Sequence, residues 1–314
     1  MKVAIVGGGI CGLFLAEKLS KKKETVFVFE KKRKVGQKPC SGLFSERIFE
    51  FYPEAKNLVE NQINYCLIHF PKKTIKVEFK RKFFVIERRK IDELAFQKAK
   101  RAGAQIFLGH RLTSIPEGFD RVIGCDGANS LIRKILGQKK LNFYFGFLGY
   151  LKKKDFSDFV ETWPTKEGFL WKIPRGEKIE YGIIEKPKWA RKIFEEFLTR
   201  NEIKLESFQF SPIAQGIEIP ENEKITLCGE AAGLTKPWSG GGVIWGLKCC
   251  QILLETFPDF LQYHKRAKKF FSFQFQISKF LKNLVFRLGF NFPYLLPSKI
   301  KIDGDFWFFH SFKG

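Results

Sequence analysis

With 314 residues and 44% hydrophobic content, the chain can bury a full core, is expected to form two closely joined domains, and shows no sign of large-scale disorder. No apolar run approaches the ~18 residues of a membrane-spanning helix. A net charge of +23 keeps nucleic acid, an anionic membrane surface and acidic substrates open as partners, beside a general bias toward lysine and phenylalanine that serves no partner at all.

The first thirty residues carry the clearest pattern. Val3-Ala4-Ile5-Val6 is a short apolar strand. It runs into Gly7-Gly8-Gly9-Ile10-Cys11-Gly12, then a helical stretch over 13–19, and a second strand from Thr25 closes on Glu30. This is a G-x-G-x-x-G turn between strand and helix, the arrangement that binds a dinucleotide. Gly7 permits the tight turn, Gly9 lets backbone N–H groups approach a pyrophosphate, and Gly12 lets helix and strand pack closely. The helix N-terminus adds orphan N–H donors for the diphosphate. Glu30 is placed to accept from ribose hydroxyls and would repel a 2′-phosphate, so the ligand is FAD or NAD rather than NADP. Because this strand opens the chain, no signal peptide and a cytoplasmic location are expected.

Downstream, a basic loop over 31–38 leads to Pro39-Cys40-Ser41-Gly42, and a helix is expected over 45–52. Runs at 65–70, 74–79 and 83–86 read as strands that interrupt the dinucleotide domain. A helix follows from Ile91 to Gly103, then strands at 104–108 and 121–125 and an Asp126-Gly127 turn. The aromatic stretch 141–215 reads as further sheet with one helix over 190–200. A strand at 225–227, the segment Gly229-Glu230-Ala231-Ala232-Gly233, a glycine-rich loop at 237–242 and a helix over 243–254 come next. Apolar residues at Phe260, Tyr263, Ala267, Phe271, Ile277, Leu281, Leu284 and Leu288 make a helical stripe flanked by lysines. The seven cysteines include no C-x-x-C pair and no Cys/His spacing of zinc type, so neither a disulfide framework nor a structural metal is expected. Cys11, Cys125 and Cys228 read as small buried hydrophobes.

The N-terminal fingerprint, the Cys125-Asp126-Gly127 turn and the Gly229–Gly242 region together resemble the FAD-binding domain of flavin hydroxylases and geranylgeranyl reductases. The finer resemblance is to the geranylgeranyl reductase family. Lys38-Pro39-Cys40-Ser41-Gly42 is similar to its cysteine loop beside the flavin, and Phe169-Leu170-Trp171-Lys172-Ile173-Pro174 to its Y-x-W-x-F-P motif. Lys236-Pro237-Trp238-Ser239-Gly240-Gly241-Gly242-Val243 is similar to its proline- and glycine-rich loop. Glu230 stands where the family usually has Asp.

The resemblance implies an α/β fold: a Rossmann-like FAD-binding domain (1–62, 88–137, 218–255), an inserted, mainly antiparallel β-sheet substrate domain (63–87, 138–217), and a helical C-terminal segment (256–314). It implies FAD contacts from Gly7, Gly9, Cys11, Gly12, Glu30, Cys40, Ser41, Gly42, Arg88, Leu112, Asp126, Gly127, Glu230, Gly241, Gly242 and Val243. Substrate contacts are expected from Phe169, Trp171, Pro174, Pro237 and Trp238, although the residues alone favour ordinary sheet core for Phe169 and Trp171.

The implied reaction is reduction of C=C bonds in a prenyl lipid, with an external electron donor (reduced nicotinamide or a small redox protein). Cys40 is a candidate proton donor or a packing residue. The basic C-terminal helix suits peripheral contact with a membrane surface, or simple packing on the FAD domain. An FAD-dependent monooxygenase or halogenase, a flavin-containing RNA-modifying protein and a non-catalytic lipid carrier are the rival readings. No RNA-binding motif supports nucleic acid as a partner.

Overall fold

The structure is a computed structural model and describes residues 1–307. Its first elements are β1 (Lys2–Val6), α1 (Ile10–Lys21), β2 (Thr25–Glu30), β3 (Leu43–Ser45) and α2 (Ile48–Phe51). Then come β4 (Val59–Phe70), β5 (Lys73–Ile86), α3 (Arg88–Arg101), β6 (Gln105–Leu108), β7 (Arg121–Gly124) and α4 (Leu131–Ile135). The central stretch holds β8 (Asn142–Leu151), β9 (Phe159–Pro164), β10 (Phe169–Pro174), β11 (Ile179–Glu185), α5 (Ala190–Arg200) and β12 (Phe208–Gln215). The described residues close with β13 (Ile225–Leu227), α6 (Val243–Thr256), α7 (Phe260–Asn291) and β14 (Lys299–Ile302).

Two sheets result. The first is parallel throughout, in the order β13-β7-β1-β2-β6. Its central strand β1 reads as an unbroken apolar run because both faces are covered. Val3, Ala4 and Ile5 are fully buried, and α1 packs beside them between α3 and α6 through Leu13, Leu15 and Leu19. Each of these valine, isoleucine and leucine side chains contributes roughly 1.5–3 kcal/mol by leaving water.

The second sheet has nine strands. Its order is β12-β8-β11-β10-β9-β4-β5-β14, and the short β3 pairs with β5. Pairings are antiparallel except β4–β9 and β5–β14. The fold class is therefore α/β, with a Rossmann-like sheet and a mainly antiparallel second sheet.

Two expectations are corrected. The helix expected over 45–52 is confined to Ile48–Phe51, because Leu43–Ser45 is drawn into the second sheet by β5. The C-terminal segment is helical as expected through α7, after which Lys299–Ile302 adds a parallel strand to β5; residues 308–314 lie outside the described residues. Finally, the buried face of α7 follows the expected stripe only as far as Phe271. It continues through Gln274, Ser278 and Gly289, leaving Leu284 exposed and Ile277, Leu281 and Leu288 half-buried. Gln274 and Ser278 are buried because they bond Trp307: its N–H reaches Gln274 Oε1 at 2.8 Å, and its indole N–H reaches Ser278 Oγ at 3.0 Å.

The C-terminal turn is stitched back onto the first half of the chain. Asp305 is fully buried and accepts from Lys236 Nζ (2.9 Å), Arg47 (3.1 Å) and Ser45 Oγ, while Arg47 also pairs with Asp303 (2.8 Å). Arg47 holds Asp303 below the usual carboxylate range against the opposing pull of burial. Trp245 Nε1 donates to the Asp305 carbonyl at 2.8 Å.

Candidate functional site

At the C-terminal ends of β1 and β7, where the strand order of a parallel sheet reverses, the chain leaves a cleft of about 490 Å³. The glycine turn forms its floor. Gly7 has φ of +110°, and a Cβ there would lie 2.4 Å from the Cys125 carbonyl oxygen. A Cβ on Gly12 would lie 2.0 Å from the Gly7 oxygen, so this position admits nothing larger than glycine. A Cβ on Gly9 would meet no protein atom within 4 Å; this glycine faces open space. These are the three conditions that a pyrophosphate on a helix N-terminus imposes.

Glu30 closes β2 at the cleft edge. Its carboxylate accepts from the N–H of Gly8 (2.7 Å) and of Lys32 (2.8 Å), which fixes its orientation. Leu112 and Gly127 line the same cleft, as does Asp126. Asp126 Oδ2 accepts from Leu131 N at 2.6 Å, whereas its buried Oδ1 has no partner within the protein. Arg88 borders this cleft and the adjoining one. It is paired with buried Asp92 at 2.8 Å, and burial raises that carboxyl despite the guanidinium. An open glycine cradle, an oriented ribose-side acid, a half-buried arginine and an orphaned carboxylate oxygen together fit a flavin dinucleotide. FAD is the cofactor expected, and this donor set suits it.

The adjoining cleft, about 190 Å³, is where three distant segments meet. Cys40 and Ser41 approach from the loop after β2, Trp171 from β10, and Gly240 to Val243 from the start of α6. Gly9, Cys11, Gly127 and Glu230 complete its lower rim, with Gly146, Leu148, Ile184, Ser211 and Ile213 as the sheet wall. Gly240 adopts φ of +65°, and a Cβ there would press on Ile184 Cδ1 at 2.4 Å. Gly242 is the N-cap of α6, so the helix directs unpaired N–H groups and its positive end toward this cleft.

Trp171 reaches the cleft because its cross-strand partner is Gly182, where a Cβ would come within 2.2 Å of the indole. The indole N–H then donates to Glu180 (2.9 Å), which is also held by Arg175 (2.9 Å). Arg175 in turn donates to Glu60 (2.8 Å) and to the Ser41 carbonyl (2.6 Å). This network joins the cysteine loop to the sheet. Burial pushes Glu180 up to about 7, while Arg175 and Trp171 pull it down. None of Glu60, Arg175, Glu180 or Gly182 stood out in the sequence; an Arg-x-x-x-x-Glu spacing across a hairpin is too common to be a signal.

Other expected residues lie elsewhere. Gly42 lines neither cleft; it has φ of +66°, and a Cβ there would strike the Ile86 carbonyl at 2.1 Å. Its N–H donates to Cys40 Sγ at 3.5 Å, which orients the thiol. Phe169 shares a sheet face with Trp171 but stops short of the cleft, and Pro174 is buried on the opposite face at the end of β10. Pro237 borders a separate cavity, and Trp238 packs edge-on against Trp245 and Trp307. Glu230 is engaged in an ion pair with Lys38, a residue absent from the expected set. Burial and Arg88 lower Lys38 to about 8, though its side chain is 37% exposed and water offsets part of that shift. Cys228 is buried as expected and lies 3.4 Å from Cys250 Sγ, whereas Cys11 and Cys125 are half-buried at the cleft.

A family model described as an NAD(P)-binding Rossmann-like domain matches residues 5–38. Fold and cleft are thus those of an FAD-binding, Rossmann-like protein with a second, mainly antiparallel sheet. Among curated relatives, a digeranylgeranylglycerophospholipid reductase of Methanocaldococcus jannaschii is 23% identical over 81% of this chain and 76% of its own length. A solved geranylgeranyl bacteriochlorophyll reductase-like protein of Thermoplasma acidophilum superposes with a TM-score of 0.78 at 20% identity, covering 90% of this chain and 86% of that one. The flavin-dependent brominase Bmp2 also superposes, with a TM-score of 0.76 at 14% identity over 94% and 89% of the two chains. These likenesses bear out the resemblance to the geranylgeranyl reductase family and the expectation of FAD.

Proposed function

We propose that the protein reduces isolated C=C bonds of a prenyl lipid, with FAD as the immediate hydride donor. The observation that carries this reading is the meeting of the Cys40 loop, Trp171 and the Gly240–Val243 loop around one small cleft with a largely apolar wall. Bound there, FAD would supply the hydride. Leu148, Ile184, Ile213 and Trp171 would exclude water and hold an alkene flat against the ring. An isolated alkene accepts hydride poorly, so a proton must reach the second carbon. Cys40 Sγ, oriented by the Gly42 N–H, is the thiol that would carry it. The N-terminus of α6 would stabilise negative charge at the near edge of the ring. Electrons would come from reduced nicotinamide or a small redox protein.

The substrate would be delivered from a membrane surface. Among the described residues no helix is long and apolar enough to cross a membrane. Phe280, Leu284, Phe292, Tyr294 and Leu295 are nonetheless exposed, with Lys279 and Arg287 beside them. Apolar residues flanked by cations suit an interfacial contact with anionic lipid. Flotation with anionic liposomes at low salt, lost at high salt, is expected; no flotation at low salt removes this part of the reading.

The central test is anaerobic incubation of photoreduced protein with a geranylgeranyl lipid. Flavin reoxidation together with product mass gains in two-dalton steps is expected, and the absence of both refutes the proposal. The likeness to a brominase over 94% of this chain supports a second reading, oxygen activation on the same fold. Rapid oxygen consumption coupled to modification of an aromatic substrate would favour it.

A further inference from the structure

Five of the seven cysteines, Cys11, Cys125, Cys228, Cys249 and Cys250, gather at the C-terminal edge of the parallel sheet, against the flavin clefts. The topology brings them there. β13, β7 and β1 lie side by side, with Leu227 paired to Gly124, so Cys228 and Cys125 leave adjacent strand ends together. Cys11 lies in the first turn of α1, and α6, packed beside α1, carries Cys249 and Cys250.

Cys250 is the centre of the group. Its Sγ lies 3.4 Å from Cys228 Sγ and 3.6 Å from the Cys11 carbonyl oxygen. Cys249 bonds the Tyr263 hydroxyl at 2.8 Å. Cys11, Cys125 and Cys228 border the adjoining cleft, whereas Cys250 is sealed behind them. The recess is shaped around sulfur: a Cβ on Gly229 would lie 2.8 Å from Cys11 Sγ, and one on Gly246 2.5 Å.

Among the described residues no group of three or more His, Cys, Asp or Glu side chains is placed to hold a metal ion. The remaining chemistry of adjacent thiols is oxidation. Sulfurs in a disulfide are about 2.05 Å apart, so Cys228 and Cys250 need to close by roughly 1.4 Å, about 0.7 Å at each sulfur. Burial raises both of these thiols, which therefore rest protonated at neutral pH. Cys11 is held below the usual thiol range by its hydrogen bond with Cys250 and by Arg88 and Lys38, against burial. The thiol readiest to ionise thus adjoins Cys250 and faces the cleft.

We propose that Cys228 and Cys250 form a dithiol–disulfide couple in electron exchange with the flavin, a second redox centre of the protein. In one direction both S–H bonds break and one S–S bond forms, and the electron pair and two protons pass to oxidised FAD, giving its dihydro form. In the other, the dihydro form returns them and the S–S bond breaks. The couple holds an extra electron pair beside the cofactor. It requires FAD in the clefts and is independent of which bond the flavin reduces.

The test counts electrons and thiols. FAD-loaded protein is fully reduced with dithionite, freed of excess reductant without oxygen, and titrated with ferricyanide until none is consumed. Wild type is expected to release two electrons per flavin beyond those of the flavin itself. After denaturation it should then offer maleimide two fewer than its seven thiols and yield one linked peptide joining Cys228 to Cys250. Protein stripped of FAD and treated alike should keep all seven. Cys228→Ala and Cys250→Ala should each release the flavin's electrons alone. Seven free thiols in the oxidised, FAD-loaded wild type overturn the couple and leave the cysteines as packing residues. A linkage through any other cysteine overturns the assigned pair, and the same linkage formed equally without FAD overturns the exchange with the flavin. These wild-type counts decide the matter even where a variant fails to fold.

Discussion

Replacing Asp305 with asparagine tests how the C-terminal turn supports the flavin side of the molecule. The carboxylate is fully buried and takes Lys236 on one oxygen and Arg47 with Ser45 on the other. Asparagine keeps the shape but sets an N–H₂ donor against donors on one side and removes the charge that both cations face. Arg47 retains Asp303 at 2.8 Å, whereas Lys236, itself 8% exposed at its side chain, retains the Gly304 carbonyl and the Trp238 ring at 5.7 Å but no carboxylate among the described residues. Breaking a buried pair by removing one partner costs roughly 3–5 kcal/mol. For 314 residues unfolding cooperatively, an unfolding entropy of about 2.1 cal/mol/K per residue converts this to a Tm lower by roughly 5–8 °C. Because Lys236 opens the loop that ends at Gly242, FAD should also be lost more readily. Differential scanning calorimetry of the FAD-loaded protein reads the first effect and fluorescence of released flavin the second. Lys236→Met with Asp305→Leu should recover part of the loss, since an apolar pair leaves no uncompensated charge. A Tm within about 1 °C of wild type for Asp305→Asn would refute the reasoning.

Three further outcomes are expected. Gly12→Ala places a methyl 2.0 Å from the Gly7 oxygen, so the protein should purify with little FAD, read from the 450 nm absorbance ratio; full occupancy would contradict the close-packing argument. Glu30→Ala strips the acceptor from two backbone N–H groups and should weaken FAD by about five- to a hundredfold in equilibrium dialysis. An unchanged affinity would mean that this carboxylate does not organise the ribose side. Glu180 titrates near 7 in the native state against an ordinary value of 4.5, so the folded chain holds a proton that the unfolded chain releases. Its contribution therefore falls as pH rises from about 4.5 to 7 and is level above that. Urea unfolding at pH 5 and pH 8 should show less loss at the higher pH in Glu180→Gln than in wild type, and identical pH dependence in both would reject the assignment.

The dinucleotide end of this protein was legible from sequence because its constraints are local. Gly7, Gly9 and Gly12 lie within six residues, and each answers a steric demand that only a missing Cβ meets. Glu30 follows within the same strand–helix–strand unit. The parallel core was legible for a related reason: strands buried on both faces are continuous apolar runs. The second half of the site was decided by tertiary structure. Trp171 reaches the cleft through the absence of a side chain on Gly182, which sits opposite it only once two strands pair in that register. Pro237 and Trp238 belong to the same loop as Gly240 but are carried away from the cleft, toward α7 and the C-terminal turn. The α7 stripe drifted for the same kind of reason: Gln274 and Ser278 are buried because Trp307, some thirty residues later, supplies their hydrogen bonds. Sequence alone determined where the backbone leaves room for a diphosphate, because close approach to a backbone is written in glycines. Tertiary structure decided what lines the adjoining cleft, because those contacts join segments whose spacing along the chain carries no signal.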